Sequence, residues 1–377
     1  MDVQHIEVRE IDIPLVTPFR TSQSLQHSRR SLLVRVVADG SEGWADLSVD
    51  QVPVFGHEYI AGTWLSLREL LVPAAFAGPV RAVRVAERMN GIVGHPAARS
   101  ALEMAVLDAE LRESGMSLAN FLGGTRDSVP VGVSVGITDT AAELVDLVRG
   151  YLGEGYPRIK LKIQPGWDEE PIAAVRAEFG DGLDLQVDGN GAYRSSDLGL
   201  LTGLDRFHLT MLEQPFPAGD LLGHVRLAKR AATPVCLDES ISSASAAAVA
   251  IQLGACSIVN IKPSRVGGYL EARRIHDVCQ ALSVPVWCGG TLESGVGRAA
   301  NIALASLPNF GYPGDISATS RYFADDLCEP FELSDGTLRV PTGPGIGVEV
   351  DLETLERFTT RREVFSPPGR PATPAAS

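Results

Sequence analysis

Short hydrophobic runs alternate with helical stretches across the middle of the chain, from residue 127 to residue 318. Each run has the length of a strand, and apolar residues at helical spacing follow it. The eight predicted strands are Val129–Ile137, Arg158–Ile163, Leu185–Asp188, Leu209–Glu213, Pro234–Asp238, Ile258–Pro263, Pro285–Cys288 and Asn309–Pro313. Strands that alternate with helices form a parallel sheet. The pattern therefore predicts an α/β fold built on a TIM-type barrel.

The pattern before the barrel, over residues 1–126, is different. Val3–Val37 predicts two or three strands, which are interrupted by the polar segment Thr21–Arg30. We expect that segment to be a mobile loop that acts as a lid. Helical spacing follows at His57–Leu71 and at Pro96–Ser114. Residues 1–126 are therefore predicted to form an α+β module.

Five consecutive predicted strands carry a charged residue at or near the carboxyl end. Strands of a parallel barrel are buried on both faces, so a charge at this place requires a reason. The five residues are Lys162, Asp188, Glu213, Asp238 and Lys262, and each lies 24 to 26 residues from the next. Because that step is one strand–helix unit, the side chains should meet at the barrel mouth, where active sites of this fold lie. Solvated charges at loop starts would not be so regular.

Asp188, Glu213 and Asp238 place three carboxylates on neighbouring strands. Three such anions repel one another, and a divalent cation relieves the repulsion. A ligand set made only of carboxylate oxygens favours Mg²⁺, with Mn²⁺ able to substitute, whereas Zn²⁺ more often recruits His or Cys. The alternative is an ion that only supports the scaffold, and the lysines on either side argue against it.

Lysines flank the three carboxylates in the sequence. Lys160 and Lys162 alternate with aliphatic residues, so strand geometry sends both into the barrel. Lys262 follows the acidic residues, and we expect it almost across the barrel. Two such lysines can handle a proton on either face of a substrate carbon next to a carboxylate. A lysine acts as a base only when it is neutral, and crowding by other cations lowers its pKa.

Other polar and glycine positions near the strand ends allow two interpretations. Asn190 is either a hydrogen-bond donor that supports the metal ligands or a turn residue. The pairs Gly267–Gly268 and Gly289–Gly290 either leave amides facing a substrate anion or form tight turns.

Composition restricts the partners and the compartment. Hydrophobic residues make up 45% and charged residues 21% of the 377 residues, as in soluble globular proteins. Met1–Glu10 lacks the order of a signal peptide, so we expect a cytoplasmic protein that does not bind membranes. The formal net charge of −14 leaves no basic surface for nucleic acid. The five cysteines are expected to be reduced thiols, and the Pro- and Ala-rich residues 367–377 to be disordered.

Several motifs resemble a known family. Lys160–Lys162, Asp188–Asn190, Met211–Pro215, Cys236–Ser240 and Asn260–Pro263 are similar to the muconate-cycloisomerase-like subgroup of the enolase superfamily. Within that subgroup the chain most resembles the o-succinylbenzoate synthase and N-acylamino acid (N-succinylamino acid) racemase family. The likeness also includes Pro14–Arg20, Ala101–Asp108 and Pro341–Gly345, so it covers nearly the whole chain. It implies a (β/α)7β barrel over 127–318 and a capping domain formed by 1–126 and 319–366.

The resemblance also implies roles for individual residues. Asp188, Glu213 and Asp238 would bind Mg²⁺, supported by Asn190 and Glu239, while Lys162 and Lys262 would be the acid–base pair and Lys160 would neutralise the substrate carboxylate. The implied substrate-pocket residues are Phe19, Phe55, Ser134, Gly290, Thr291 and Phe323. The chain departs from the family at Ala45–Leu47, where Gly-Glu-Cys is frequent, and at Thr291, where Met is frequent. These departures concern substrate choice more than mechanism.

The implied chemistry is Mg²⁺-dependent removal of the proton α to a carboxylate, which gives an enediolate. Two reactions share this step, namely dehydration to o-succinylbenzoate in menaquinone biosynthesis and racemisation of N-succinyl or other N-acylamino acids. A related lyase, cycloisomerase or dipeptide epimerase is an alternative. A pseudoenzyme is a further alternative, although every expected catalytic group is present. We expect a small carboxylate substrate and a homo-oligomeric protein.

Overall fold

An antiparallel sheet joins the two ends of the chain in the computed structural model, which describes residues 1–47 and 49–369. Its first three strands are β1 (Val3–Arg20), β2 (Leu25–Ala38) and β3 (Ser41–Leu47). Residues 359–365 add a fourth strand beside β1, with Phe365 opposite Ile6. The strands are rich in Val, Ile and Leu, whose side chains suit a half-buried pleated surface.

The polar segment Thr21–Arg30 is not the long loop that its composition predicts. Only residues 21–24 lie outside strands, and β2 continues the hairpin with Gln26 opposite Phe19 and Arg29 opposite Ile13. Pairing with β1 holds this backbone in place. Its residues are polar because some of their side chains line a cavity rather than the core. The expected lid is therefore reduced to a short turn.

Five helices follow the sheet, and they are α1 (Ile60–Ser66), α2 (Val72–Phe76), α3 (Ala82–Met89), α4 (Pro96–Ser114) and α5 (Leu118–Leu122). A π-helical turn, Leu67–Leu71, joins α1 to α2. The helix predicted at Pro96–Ser114 is confirmed. The one predicted from His57 begins three residues later, at Ile60, and continues beyond Leu71 to Phe76.

After β4 (Ser128–Pro130), seven parallel strands form a second sheet in chain order. They are β5 (Val133–Val135), β6 (Arg158–Lys162), β7 (Asp184–Asp188), β8 (Met211–Glu213), β9 (Val235–Leu237), β10 (Ile258–Ile261) and β11 (Val286–Cys288). Helices α6 (Ala141–Glu154), α7 (Glu169–Phe179), α8 (Leu198–Gly203), α9 (Leu221–Ala228), α10 (Ala244–Leu253), α11 (Pro263–Val266), α12 (Tyr269–Ala281) and α13 (Gly295–Ala305) connect or follow these strands. Seven predicted strands are thus confirmed, although the first is split into β4 and β5.

The segment predicted as an eighth strand, Asn309–Pro313, is not a strand. Isolated parallel bridges link Phe310 to Val286 and Gly314 to Val131, at opposite edges of the curled sheet. Pro313 has no amide hydrogen and cannot donate to a ladder, so regular pairing is interrupted there. The chain nevertheless hydrogen-bonds to both edges of the sheet through this segment.

The last part of the chain returns to the N-terminal sheet. Strand β12 (Thr337–Arg339) pairs with β4, and helix α14 (Leu352–Phe358) leads into β13 (Thr359–Phe365), the strand beside β1. Most of the tail predicted to be disordered, residues 370–377, lies outside the described residues. Over 1–47 and 49–369, no helix is both long enough and apolar enough to span a membrane.

Candidate active site

The charged strand-end residues lie together at the carboxyl edge of the parallel sheet. In the sheet register Lys162 is beside Asp188, and Asp188 is beside Glu213. Asp238 and Lys262 directly follow β9 and β10. The three carboxylate side chains are fully buried, and the Lys162 and Lys262 side chains are 10% and 17% exposed. The even spacing in the sequence therefore corresponds to one cluster in space. We call Asp188, Glu213, Asp238 and the lysines that contact them the acidic cluster.

Lys160 is the most heavily paired cation of the cluster. Its Nζ lies 2.6 Å from a Glu213 oxygen, 2.9 Å from Asp315 and 3.0 Å from Asp188. The ammonium group also lies 4.9 Å from the ring centre of Trp287. Burial opposes its charge, but the surrounding carboxylates outweigh burial and raise the pKa of Lys160 well above its usual value. With these carboxylates as neighbours, Lys160 is therefore held in its charged form.

Lys162 lies in the same cluster, but its surroundings shift its pKa in the opposite direction. Its Nζ donates to Asp188 Oδ2 at 2.6 Å and to Asn190 Oδ1 at 2.8 Å. Burial is the main cause that lowers the pKa of Lys162, Asp188 opposes this, and the neighbouring Lys160 lowers the pKa further. A lysine whose pKa is lowered is neutral more often, and a neutral amine can accept a proton.

Lys262 approaches the cluster from β10. Its Nζ donates to Asp238 Oδ2 at 2.7 Å, and the Arg265 guanidinium contacts the other oxygen of Asp238. Lys162 and Lys262 therefore bond to different carboxylates, those of Asp188 and Asp238, and the strand that ends at Glu213 lies between them.

Buried amides hold the carboxylates in place. Glu213 accepts hydrogen bonds from Gln186 Nε2 at 2.7 Å and from Asn260 Nδ2 at 2.8 Å. Asn190 bridges two acids, because its backbone amide donates to Asp188 and its Nδ2 donates to Glu239 Oε1 at 3.0 Å. Glu239 is buried, and burial together with the charge of Asp188 raises its pKa. These fixed donors orient the carboxylates without neutralising them.

The carboxylates suit a hard divalent cation by their chemistry rather than by a ready-made geometry. In the described ranges, no three acidic, histidine or cysteine side chains already form a metal-binding group. Instead, each of Asp188, Glu213 and Asp238 forms an ion pair with a lysine. All three are oxygen donors at adjacent strand ends, the ligand type that Mg²⁺ prefers and Mn²⁺ accepts. In the part of the chain that the structure describes, the buried Glu239 Oε2 has no hydrogen-bond partner, so it is a further oxygen available to a cation. The residues therefore fit the expected metal.

A cavity of about 250 Å³ opens onto the cluster. Its wall includes five of the six predicted pocket residues, which are Phe19, Phe55, Ser134, Gly290 and Thr291. Phe323 is a correction, since it is buried in the core and does not line the cavity. Its neighbour Tyr322 lines the cavity instead, with its ring 6.3 Å from that of Phe19. Tyr322 directly follows the short helical turn Thr319–Arg321, and the next residue, Phe323, packs in the core.

Sequence reasoning missed several polar residues of the site, including Arg158, Gln186, Asn260 and Asp315. The first three lie two residues before Lys160, Asp188 and Lys262, so strand alternation places them on the same face and could have revealed them. Asp315 follows an irregular segment and had no periodic signal. Lysine usage was a second missed signal, because the chain has only four lysines and three of them line this cavity.

Comparison with known proteins agrees with this arrangement. The family model described as enolase C-terminal domain-like matches residues 143–354. An N-succinylamino acid racemase from an Amycolatopsis species is 55% identical over 363 residues, which cover 96% of this chain and 99% of the relative. An o-succinylbenzoate synthase from Geobacillus kaustophilus is 44% identical over 368 residues, which cover 97% and 98% of the two chains.

Solved structures support the same relationship. An enolase-superfamily protein from Listeria innocua has a TM-score of 0.92 and 38% sequence identity, with 97% of this chain and 99% of that chain covered. The match thus includes both the parallel sheet and the N-terminal antiparallel sheet. This chain belongs to the enolase C-terminal domain-like family of the enolase superfamily.

Proposed function

We propose that this protein is a Mg²⁺-dependent enzyme that removes the proton next to a substrate carboxylate, as an o-succinylbenzoate synthase, an N-succinylamino acid racemase or both. The observation that carries the proposal is that Lys162 and Lys262 line one cavity and bond to different carboxylates of one acidic cluster. Relatives with both names match nearly the whole chain, which supports both activities.

Each lysine has a distinct role in this proposal. Lys162 removes the α-proton, in keeping with the lowered pKa that burial gives it. Lys160 stays charged and neutralises the substrate carboxylate as negative charge moves onto it. Lys262 faces the reacting carbon from the side opposite Lys162.

Asp188, Glu213 and Asp238 would hold Mg²⁺, with Asn190 and Glu239 supporting them. Each of the three carboxylates contacts a lysine through one of its two oxygens, so a bound ion would compete with the lysines for these groups. When bound, the ion supplies positive charge that stabilises a substrate carboxylate whose α-carbon has lost its proton. Such competition would leave the lysines free to meet the substrate.

The two reactions diverge after proton removal. In racemisation, Lys262 delivers a proton to the face opposite the one that Lys162 deprotonated, so the configuration inverts. In dehydration, the hydroxyl on the neighbouring carbon leaves with the proton that Lys162 took, and water is released. Dehydration therefore needs one lysine as base and acid, whereas racemisation needs two.

The alternative activities within the superfamily are a related lyase, a cycloisomerase or a dipeptide epimerase. A chloromuconate cycloisomerase from Cupriavidus necator is 24% identical to this chain over 371 residues, well below the racemase and synthase relatives. The pseudoenzyme alternative is disfavoured because both lysines and all three carboxylates are present in one cluster.

We also propose a domain arrangement. Residues 127–318 form a (β/α)7β barrel that the segment 309–315 closes, since this segment hydrogen-bonds to both edges of the parallel sheet. Residues 1–126 and 319–366 form the capping domain, supported by the pairing of β13 with β1. The cavity then lies between cap and barrel, because residues of both line it.

The test is deuterium exchange at the α-carbon of N-succinylamino acids in D₂O with Mg²⁺, followed by NMR for each enantiomer. The wild-type protein should exchange both enantiomers. Lys162→Ala should lose exchange with one enantiomer and Lys262→Ala with the other, and racemisation should fall by orders of magnitude in both. Lys229→Ala, a change at the remaining, exposed lysine, is the matched control and should behave as the wild type.

Full exchange of both enantiomers by both variants would show that neither lysine is the base. A wild-type protein that exchanges neither enantiomer, yet converts the dehydration substrate to o-succinylbenzoate, would assign the synthase activity alone.

A further inference from the structure

A second polar cluster lines the cavity away from the acidic cluster. It consists of Gln26 and Arg29, both on β2, and Asp50, which follows β3. Arg29 Nη1 donates to Asp50 Oδ1 at 2.7 Å, Gln26 Nε2 donates to the same oxygen at 3.2 Å, and Arg29 Nη1 also contacts Gln26 Oε1 at 3.4 Å. We call these three residues the distal cluster.

Arg29 is unusual among the lining cations. Its side chain is 5% exposed, and its Nε has no hydrogen-bond partner in the described part of the chain. The other lining arginine, Arg265, contacts Asp238 and belongs to the acidic cluster. Because Arg29 lines the cavity, its guanidinium is a candidate donor for an oxygen anion, whose carboxylate geometry the planar fork of N–H groups matches.

Asp50 opposes that use of Arg29. Its side chain is 20% exposed, and both hydrogen bonds that it accepts from the distal cluster end on Oδ1. An anion that approaches Arg29 therefore meets the Asp50 carboxylate and must compete with it for the guanidinium. A neutral group meets no such repulsion.

We propose that Asp50 is a specificity-determining residue, which competes for Arg29 and so weakens the binding of substrates whose far end carries a carboxylate. The proposal rests on the proposed function for the near end, where the lysines hold the α-carboxylate. Within the N-acylamino acids, Arg29 favours acyl chains that end in an anion, and Asp50 reduces that preference relative to neutral acyl chains.

The competing explanation is that Arg29 and Asp50 only hold β2 against the segment after β3. The chain offers a matched pair for comparison, since Arg30 follows Arg29 and bonds to Asp12 at 2.9 Å. Neither Arg30 nor Asp12 lines the cavity. Changes to this second pair remove the same kinds of charge, one of them from the same strand β2, without altering the cavity wall.

The experiment is calorimetric titration at saturating Mg²⁺ with three glycine derivatives that share the reacting end. N-succinylglycine has an anionic tail, N-succinamoylglycine has a neutral tail of the same length, and N-acetylglycine has a short neutral tail. Glycine derivatives are not racemised, so binding is measured without net conversion. The variants are Asp50→Asn, Arg29→Gln, Asp12→Asn and Arg30→Gln.

Asp50→Asn should bind N-succinylglycine about tenfold more tightly than the wild type and leave N-succinamoylglycine within about twofold. Arg29→Gln should reduce the preference for the anionic tail by a similar factor, and the two control variants should change neither. An unchanged ratio between the succinyl and succinamoyl ligands in Asp50→Asn overturns the proposal, as does failure of that variant to bind N-succinylglycine. Because binding is the readout, a protein that fails the deuterium test can still pass this one.

Discussion

Asp315 is the counter-ion of two buried cations, and its replacement gives a measurable change in stability. Its carboxylate lies 2.7 Å from Arg158 Nη1 and 2.9 Å from Lys160 Nζ, and all three side chains are buried. The change Asp315→Asn keeps the size of the side chain and removes the charge. Lys160 keeps Asp188 and Glu213 as partners, whereas Arg158 loses its ion-pair partner.

The magnitude follows from the pKa of Asp315. Burial raises this pKa, but Lys160 and Arg158 outweigh burial and lower it from 3.8 to about 2. At about 1.36 kcal/mol per pH unit, this corresponds to roughly 2 kcal/mol in the free energy of unfolding. Breaking a buried ion pair outright costs about 3–5 kcal/mol. We expect about 2–3 kcal/mol, because one of the two cations keeps other partners.

The pH dependence has a definite sign. A carboxylate whose pKa is lowered in the folded state contributes stability above its unfolded pKa, and that contribution is lost as the pH falls from 3.8 towards 2. Between pH 5 and pH 8, which lie above both values, the difference between the wild type and Asp315→Asn should therefore be constant.

The assay is urea denaturation followed by circular dichroism, in EDTA so that metal binding does not contribute. Asp325→Asn is the control, since the ion pair of Asp325 with Arg357 is exposed and should contribute at most about 1 kcal/mol. If Asp315→Asn costs no more than the control, the buried pair does not stabilise the fold as argued. A difference that varies strongly between pH 5 and pH 8 would refute the assigned pKa.

Two further predictions concern other buried carboxylates. Glu213→Gln should weaken Mg²⁺ binding by roughly tenfold or more in calorimetric titration, because one of three anionic ligands is lost. The circular dichroism spectrum should stay the same as that of the wild type. Undiminished affinity for Mg²⁺ would show that Glu213 is not a metal ligand. Burial raises the pKa of Glu103 to about 7, although backbone amides of Leu270 and Tyr269 donate to it. Between pH 4.5 and pH 7 the folded state therefore holds a proton that the unfolded chain has released. As the pH rises through this range, the wild type should lose up to about 3 kcal/mol in the free energy of unfolding relative to Glu103→Gln. A difference in urea denaturation that does not change with pH would contradict this prediction.

The repeated unit explains why much of the site was predictable from the sequence. Each strand of a parallel sheet starts anew after a helix, so equivalent positions recur at a nearly constant step. The charged residues from Lys162 to Lys262 follow one another at intervals of 24 to 26 residues, which is the length of that repeat. The period of two within a strand then fixes the face of each side chain, which is why Lys160 and Lys162 both belong to the site.

Features that depend on contacts between distant segments were not predictable in this way. Asp315 reaches Lys160 from a segment that is not a strand, so no period marks it. The sequence pattern predicts a polar loop at Arg29, because such a pattern does not distinguish a side chain that faces solvent from one that faces a cavity. Its pairing with Asp50 joins two segments that only the fold brings together.

The use of lysine in this chain gives an independent physical argument for the same residues. Lysine and arginine together number 33, and only four of them are lysines. Arginine serves equally well in surface and buried ion pairs but stays protonated at any physiological pH, so it cannot exchange a proton with a substrate. A chain that uses arginine almost everywhere therefore keeps lysine where the ability to lose a proton, or a compact point charge, is required. Lys160, Lys162 and Lys262 all line the cavity, and the remaining one, Lys229, is exposed. Residue choice and strand spacing thus select the same three side chains on unrelated physical grounds.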